Sequence, residues 1–111
     1  MYVFVRRDLS FPQQVVQACH AAIEAATLLS PGDDHPHLVV LGVKSELQLR
    51  NALRRLTQYG ICCKPFYEDD LGNQLTSFAT QPISGDSRQL FKNYQCLRDD
   101  HCLSMVMGGA A

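Results

Sequence analysis

The pattern of apolar and polar residues predicts that the chain begins with a short strand followed by a long helix. Residues 2–5 form a continuous apolar run with β-branched and aromatic side chains, which is typical of a strand buried on both faces. Ser10 is a candidate N-cap, and Pro12 lies in the first turn that would follow it. Because residues 15–29 contain many alanines and neither Gly nor Pro, we predict a first helix of about five turns.

The pattern beyond this helix predicts three more strands and two more helices. The turn-forming segment 30–36 cannot continue the first helix and should be an exposed loop. We expect a second strand over 37–43, a second helix over 45–59 that stops at Gly60, a third strand over 61–67, a polar turn over 68–74, a fourth strand over 75–81 and a short closing helix over 87–97.

This order of elements predicts a small α/β domain with a mixed four-stranded sheet flanked by helices. The third and fourth strands are joined too closely for a helical crossover, so we expect them to pair antiparallel. With 111 residues, the chain is long enough for one domain and too short for two. We assign the domain to residues 1–97, because residues 98–111 show no clear period and suggest no role.

Composition and charge narrow the class of protein. A composition of 46% hydrophobic and 19% charged residues is typical of an ordinary globular domain. Because the net charge is −1, any nucleic acid would have to bind a local basic patch. No apolar run approaches the roughly 18 residues that cross a bilayer, and Arg6, Arg7 and Asp8 interrupt any signal-peptide core. We therefore expect a cytosolic protein that has no membrane partner. The odd number of cysteines, five, favours free thiols.

Polar side chains recur along the first helix at helical spacing. At about 100° per residue, one face carries Gln13, Gln17, His20 and Glu24. The opposite, apolar side carries Val15, Cys19, Ala22, Ile23 and Ala26, which predicts that Cys19 is a small core residue. His20 can transfer a proton near neutral pH, and Glu24, one turn on, could hold its ring. The alternative is that His20 is a solvated side chain of an amphipathic surface helix.

Three consecutive acids, at positions 68–70, follow the third strand, where the carboxyl end of a strand typically lines a site in α/β proteins. If one of these carboxylates faces His20, the pair could orient or activate a water molecule. The alternative is a solvated turn in which Asp70 bonds to its own backbone.

A basic patch is predicted on the second helix and its flanks. This stretch carries Lys44, Arg50, Arg54, Arg55 and Lys64, opposed only by Glu46, so its local charge is +4. Such a strip can bind phosphates without reading sequence, although surface cations often serve solubility alone. Arg6 and Arg7 could extend the strip.

The order of several motifs resembles the type II peptidyl-tRNA hydrolase family. The family's Arg-x-Asp-Leu pattern is matched by Arg6-Arg7-Asp8-Leu9, and its Gln-x-x-His-Ala-Ala pattern by Gln17-Ala18-Cys19-His20-Ala21-Ala22. The second helix opens with Val43-Lys44-Ser45-Glu46, as the family's second helix is opened. The family's Asp-Ala-Gly corresponds to Asp70-Leu71-Gly72, and its strand that runs to a Pro resembles residues 76–82. The resemblance covers residues 1–97. It implies hydrolysis of the ester between a peptide and tRNA, with tRNA as partner and a homodimer as the assembly.

The resemblance also implies roles for individual residues. His20 and Asp70 occupy active-site positions, with His20 as general base or orienter, and Gln17 donates a hydrogen bond toward substrate. Candidates for tRNA contacts are Arg7, Arg50, Arg54, Arg55 and Lys64. We expect no metal and no cofactor, since Cys96, His101 and Cys102 would need further ligands from elsewhere to bind an ion.

The chain departs from the family pattern at several positions. Pro12-Gln13 replaces a Gly-Lys pair whose lysine belongs to the proposed catalytic set, and Gly42 stands where a lysine commonly closes the second strand. A family threonine is also missing, and Thr76 is the candidate to replace it. Arg7 or Lys64 could supply the lost cation. Two alternatives to an active hydrolase follow: a non-catalytic member that binds RNA or a protein, and a structural protein that uses only the surface of this fold.

Overall fold

A mixed sheet of five strands forms the centre of the domain. The computed structural model describes residues 1–32 and 34–99. The strands are β1 (Tyr2–Arg6), β2 (Val39–Val43), β3 (Cys63–Glu68), β4 (Gln74–Thr80) and β5 (Gln95–Cys96), and they lie in the order β3-β4-β1-β2-β5. β1 and β2 are parallel, whereas the β1–β4, β2–β5 and β3–β4 pairs are antiparallel. The α/β class and the antiparallel pairing of β3 with β4 are therefore confirmed.

Helix α1 (Phe11–Ala25) begins where its capping residue predicts. The Ser10 hydroxyl accepts a hydrogen bond from the Gln13 backbone N–H, 3.4 Å away, which satisfies one of the free donors of the first turn. The α-helix ends at Ala25, and a single 3-10 turn, Ala26–Leu28, completes the segment that the sequence predicts as continuous helix to Leu29.

The predicted apolar face of α1 is wrong. The buried residues are Gln14, Gln17, Ala18, Ala21 and Ala25, whereas Val15, Ile23 and Cys19 are exposed. Cys19 is therefore not a core residue. The physical reason is the narrow gap between helix and sheet: small alanines let α1 approach Val3 and Val5 of β1, and the larger branched side chains turn outward.

Helix α2 (Glu46–Gln58) packs on the opposite face of the sheet from α1. Ser45 caps it by accepting from the Gln48 N–H. Its buried residues, Leu49, Ala52 and Leu56, join a cluster that contains the β1 side chains Tyr2 and Phe4, whereas Val3 and Val5 of the same strand belong to the α1 cluster. Because alternate side chains of β1 are buried on opposite faces of the sheet, every position of the strand is apolar from residue 2 to residue 5.

The predicted closing helix over 87–97 is also wrong. The chain forms a 3-10 helix, Gly85–Phe91, followed by β5. Aromatic packing explains the difference, because the Phe91 ring stacks on Tyr2 with centroids 3.8 Å apart and Tyr94 meets Phe4 edge-on at 4.9 Å. β5 then covers the edge of β2, so the sheet has five strands rather than the predicted four.

No helix of residues 1–32 and 34–99 is long and apolar enough to cross a membrane. Most of the predicted tail, 98–111, lies outside the described residues.

Candidate hydrolytic cleft

A small cleft of about 170 Å³ lies between α1 and the segment that follows β3. We call it the hydrolytic cleft, after the activity that the motif resemblance implies for His20 and Asp70. Its lining comprises Gln13, Val16, Gln17, His20, Glu68, Asp70 and Leu71. The structure thus brings together His20 and Asp70, which lie fifty positions apart in the sequence. A general base and a carboxylate that share a cleft can together orient a water molecule.

His20 is held by a ring contact rather than by its neighbours on the helix. Its imidazole is half-buried and stacks flat on Phe66 of β3, with centroids 4.5 Å apart and ring planes 9° apart. Stacking fixes the plane of the imidazole and leaves its nitrogen-bearing edges available for hydrogen bonding. Glu24 does not orient this ring, since no hydrogen bond joins it to His20 in the part of the chain that the structure describes.

Gln17 is a residue with 1% exposure that links the cleft to the sheet. Its amide nitrogen donates to Glu68 Oε2 at 3.0 Å and to Gln13 Oε1 at 3.3 Å. Its amide oxygen accepts from Thr76 Oγ1 at 2.6 Å. Both N–H groups and the oxygen of the amide are therefore engaged, which determines its orientation.

A β-bulge in β4 places two consecutive side chains against Gln17. Phe66 pairs with Ser77, but the next residue of β3, Tyr67, pairs with Leu75, so Thr76 is the extra residue. As a result Thr76 and Ser77 both bond to Gln17, the first to the side-chain oxygen and the second, at 2.7 Å, to the backbone carbonyl. Thr76 is fully buried and lies behind Gln17 rather than on the cleft wall.

The acidic segment after β3 folds as a short 3-10 helix, Asp69–Leu71. The segment is an exposed turn, as the alternative expected, but among the described residues no hydrogen bond joins the Asp70 carboxylate to the backbone; the Glu68 carboxylate instead accepts the Asp70 backbone N–H, at 3.5 Å. Gly72 ends the turn with φ of 70°, a left-handed conformation that glycine adopts without strain. The exposed Asp70 carboxylate is thereby left free to line the cleft.

The electrostatic character of the hydrolytic cleft is acidic. Glu68 and Asp70 contribute two carboxylates, and among the described residues that line the cleft there is no lysine or arginine. Gln13 lines the cleft at the position where the family pattern has lysine. Lys64 lies two residues before Phe66 in β3, and Arg7 lines a different cavity, so neither takes the place of that cation in the lining.

The predicted basic residues do not form one continuous strip. Arg7 and Arg55 line a second cavity beside α2, whereas Arg50 forms an ion pair with Glu46 at 3.6 Å. Arg54 is exposed on α2, and Lys64 lies in β3, at the opposite edge of the sheet from β5. The fold thus distributes these cations over several separate surfaces.

Arg6 does not extend the basic patch, because it is buried in an ion pair with Asp8. Its Nε and Nη2 donate to the two Asp8 oxygens at 2.9 and 2.8 Å, and Nη1 donates to Gln74 Oε1 and to the Leu75 carbonyl. This hydrogen bonding lowers the pKa of Asp8 and raises that of Arg6. The pair ties the end of β1 to the start of β4.

Two contributors to the site escape sequence reasoning, Phe66 and Ser77. Each reads as an ordinary strand residue, and only the packing of α1 against β3 and β4 gives it a partner in the site. No local signal marks Phe66. The Thr76-Ser77 pair, two small polar residues in succession within an apolar strand, is a weak sign of the bulge.

Within residues 1–32 and 34–99, no group of three potential metal ligands comes together. Of the residues considered for a metal from the sequence, His101 and Cys102 lie outside the described part of the chain.

Comparison with known proteins gives a family match that covers the cleft residues. The family model for peptidyl-tRNA hydrolase PTH2 matches residues 1–87, which include β1 to β4, both long helices and every residue that lines the hydrolytic cleft. No curated protein gives a significant match. The match confirms the resemblance seen in the sequence motifs. The chain therefore belongs to the peptidyl-tRNA hydrolase PTH2 family.

Proposed function

We propose that the protein hydrolyses the ester that joins a peptide to the ribose of tRNA, and that the reaction takes place in the hydrolytic cleft. The observation that carries the proposal is the convergence of His20, Asp70 and the bonded Gln17 amide on one cleft, in a chain of a peptidyl-tRNA hydrolase family. The proposal implies tRNA as partner and the cytosol as site of action, and we extend it to a homodimer.

In the proposed mechanism, water attacks the carbonyl carbon of the ester. His20 accepts the proton of this water, and Asp70 holds the water in line with the carbonyl. The tetrahedral intermediate then collapses, the bond to the ribose oxygen breaks, and the proton on His20 passes to that oxygen. The products are a peptide carboxylic acid and tRNA with a free hydroxyl. Phe66 contributes by holding the plane of the imidazole that carries the proton.

Gln17 and Thr76 are positioning residues in this proposal. Since both Gln17 N–H groups are directed at Glu68 and Gln13, its main task is to hold the acidic segment against α1 rather than to donate to substrate. Thr76 acts one step further away, by fixing the Gln17 oxygen.

The rate is expected to be modest because no lysine or arginine among the described residues lines the cleft to stabilise the oxyanion. One preorganised donor is worth about 3 kcal/mol, or roughly a hundredfold in rate. Glu68 and Asp70 add negative charge where negative charge develops in the transition state.

The direct test is release of labelled peptide from peptidyl-tRNA by the wild type, His20→Ala and Asp70→Asn. The control is His37→Ala, a histidine that lies outside the hydrolytic cleft. We expect both cleft variants to lose most of the activity and the control to retain it. Equal rates for the wild type and His20→Ala would remove His20 from the mechanism.

A non-catalytic, tRNA-binding member of the family is the second candidate function, and the absence of a cation from the described cleft lining favours it. It predicts that tRNA binds without turnover. Turnover by the wild type distinguishes the two candidates, and under either one Gln13→Lys should raise activity if the rest of the site is intact, by up to about a hundredfold for one added donor. Gln89→Lys adds the same charge outside the hydrolytic cleft and is the matched control.

A further inference from the structure

A second cavity, of about 420 Å³, lies beside α2 and the β2–β5 edge of the sheet. We call it the basic cavity. Three cationic residues line it, Arg7, Lys44 and Arg55, together with the amide side chains of Gln48, Asn51 and Asn93. No Asp or Glu is among the described residues of its lining. The composition is therefore the reverse of that of the hydrolytic cleft.

The Arg55 guanidinium is fixed before any ligand arrives. Its Nη1 donates to the Leu90 carbonyl at 2.8 Å and to the Tyr94 hydroxyl at 3.4 Å. Its central carbon lies 5.6 Å from the ring centroid of Tyr59 and 5.9 Å from that of Tyr94. Because the side chain is already ordered, little conformational entropy is lost when an anion binds to its remaining N–H groups.

Arg7 is positioned by a glycine in the neighbouring strand. A Cβ at Gly42 would lie 2.7 Å from Arg7 Cδ and 2.8 Å from Cγ, so any larger residue at position 42 would displace this side chain. The Arg7 backbone is held by its N–H, which donates to the Val43 carbonyl at 2.7 Å. Its Nε is buried and has no hydrogen-bond partner in the described residues.

Three cations and several amide donors around one hollow match the chemistry of a phosphate group, which offers negative charge and several acceptor oxygens. We propose that the basic cavity binds a phosphate of the tRNA that carries the substrate ester. This inference rests on the proposed function. In this inference Arg7, Lys44 and Arg55 anchor the tRNA through its phosphate, away from the ester. The exposed Arg54 contributes little to tRNA binding.

The position of the basic cavity favours RNA over a small phosphate compound as the ligand. The hydrolytic cleft is lined by α1 and the end of β3, whereas the basic cavity is lined by α2 and by β2 and its neighbours. β3 and β2 are three places apart in the sheet, which is roughly 14 Å at a strand spacing of about 4.8 Å. A ligand that anchors in the basic cavity and presents an ester to the cleft must therefore be extended, as an RNA strand is.

The experiment measures binding of fluorescently labelled, uncharged tRNA to the full chain over a range of salt concentrations. The variants are Arg7→Gln and Lys44→Gln, and the control is Lys92→Gln, an exposed lysine that does not line the basic cavity. We expect each cavity variant to bind roughly fivefold more weakly and to lower the slope of log K against log salt by about 0.7 to 0.9. The control should leave both unchanged.

Lys44 is exposed, so its replacement should not disturb the fold, and Lys44→Gln remains informative if Arg7→Gln proves unstable. Wild-type affinity and slope in Lys44→Gln would overturn the proposal. So would a result in which Arg54→Gln weakens binding and the cavity variants do not.

A second experiment distinguishes a phosphate of tRNA from a small, free phosphate compound as the ligand of the basic cavity. Titration of inorganic phosphate and of a nucleoside monophosphate is followed by the NMR signal of the Gly42 amide in wild type and Lys44→Gln. If these small anions bind in a Lys44-dependent manner while tRNA affinity is unaffected by the cavity variants, the ligand is a free phosphate compound and the assignment to tRNA is wrong. If the cavity variants lose tRNA affinity as expected, the assignment stands.

Kinetics keep this inference distinct from the proposed function. Cavity variants should raise KM for peptidyl-tRNA and leave kcat unchanged, because an anchor far from the ester binds ground state and transition state equally. If the wild type binds tRNA in a cavity-dependent manner but releases no peptide, the proposed hydrolysis fails and the phosphate site stands.

Discussion

Replacement of Gln17 by Leu tests whether the buried amide organises the site. The wild-type side chain fills a fully buried position and makes three hydrogen bonds, to Thr76, Glu68 and Gln13. A neutral hydrogen bond contributes about 1 kcal/mol net, and one to a charged group about 1.5 to 3 kcal/mol. The bond to Gln13 is long, at 3.3 Å, and its acceptor belongs to an exposed residue, so it should contribute little. The Thr76 and Glu68 bonds then predict a loss of about 3 kcal/mol in the free energy of unfolding for Gln17→Leu.

Thr76→Val, combined with Gln17→Leu in a double-mutant cycle, isolates the bond between the two residues. Thr76→Val alone leaves the Gln17 oxygen buried without its donor, which costs about 1 to 3 kcal/mol. In the double variant that buried acceptor is gone, so the two costs should not add. We expect a coupling of about 1 kcal/mol or more between these positions.

The assay is urea denaturation of the four proteins, with the transition followed by circular dichroism. Ser77→Ala serves as a comparison, because its hydroxyl bonds to the Gln17 backbone, which the Gln17→Leu change preserves. Ser77→Ala and Gln17→Leu should therefore be closer to additive. A loss below about 1 kcal/mol for Gln17→Leu, or strict additivity with Thr76→Val, would refute the argument that this amide holds α1 and the acidic segment together.

Three further predictions concern Asp8, Cys63 and Phe66. The hydrogen bond from Arg6 lowers the pKa of Asp8 from its ordinary 3.8. The contribution of the pair to the free energy of unfolding is therefore complete above pH 3.8 and is lost as the pH falls through the lowered pKa. The stability difference between wild type and Asp8→Asn, measured from the unfolding midpoint at a series of acid pH values, should shrink over that range. A constant difference would contradict this. Burial raises the pKa of the Cys63 thiol to about 12, so iodoacetamide at pH 8 should modify the exposed cysteines well before Cys63, as peptide mass spectrometry would show. Phe66→Leu removes the ring on which His20 stacks and should lower kcat by roughly three- to tenfold with a retained fold, whereas unchanged kcat would show that the stack does not orient the imidazole.

The N-termini of both long helices follow from local chemistry that is visible in the sequence. Ser10 and Ser45 cap α1 and α2 because a hydroxyl next to free N–H groups acts over one turn. The continuous apolar run of β1 likewise indicates burial on both faces, and the structure shows helices on both. The family resemblance rests on the same kind of local information, read in order along the chain.

The errors of prediction arise where long-range packing outweighs local preference. Val15 and Ile23 are more hydrophobic than Ala18 and Ala21, yet the alanines are buried because the gap between α1 and the sheet accepts only small side chains. The segment after Gly85 lacks an extended helix because Phe91 gains more from stacking on β1 than the segment gains from helical hydrogen bonds. Neither preference is encoded within a few residues.

In the candidate site, too, local sequence signals account for some features and long-range packing for the others. By itself, the sequence determined which chemical groups the chain possesses, their order, and the placement of Gln13, Gln17 and His20 on one face of a helix, because the helical period depends only on the backbone. Only the tertiary structure decided that this face meets Asp70, that a bulge turns Thr76 toward Gln17, and that Arg7 joins Arg55 at a distance from the cleft. Those contacts join residues dozens of positions apart, and their geometry depends on how helices, strands and bulges pack together.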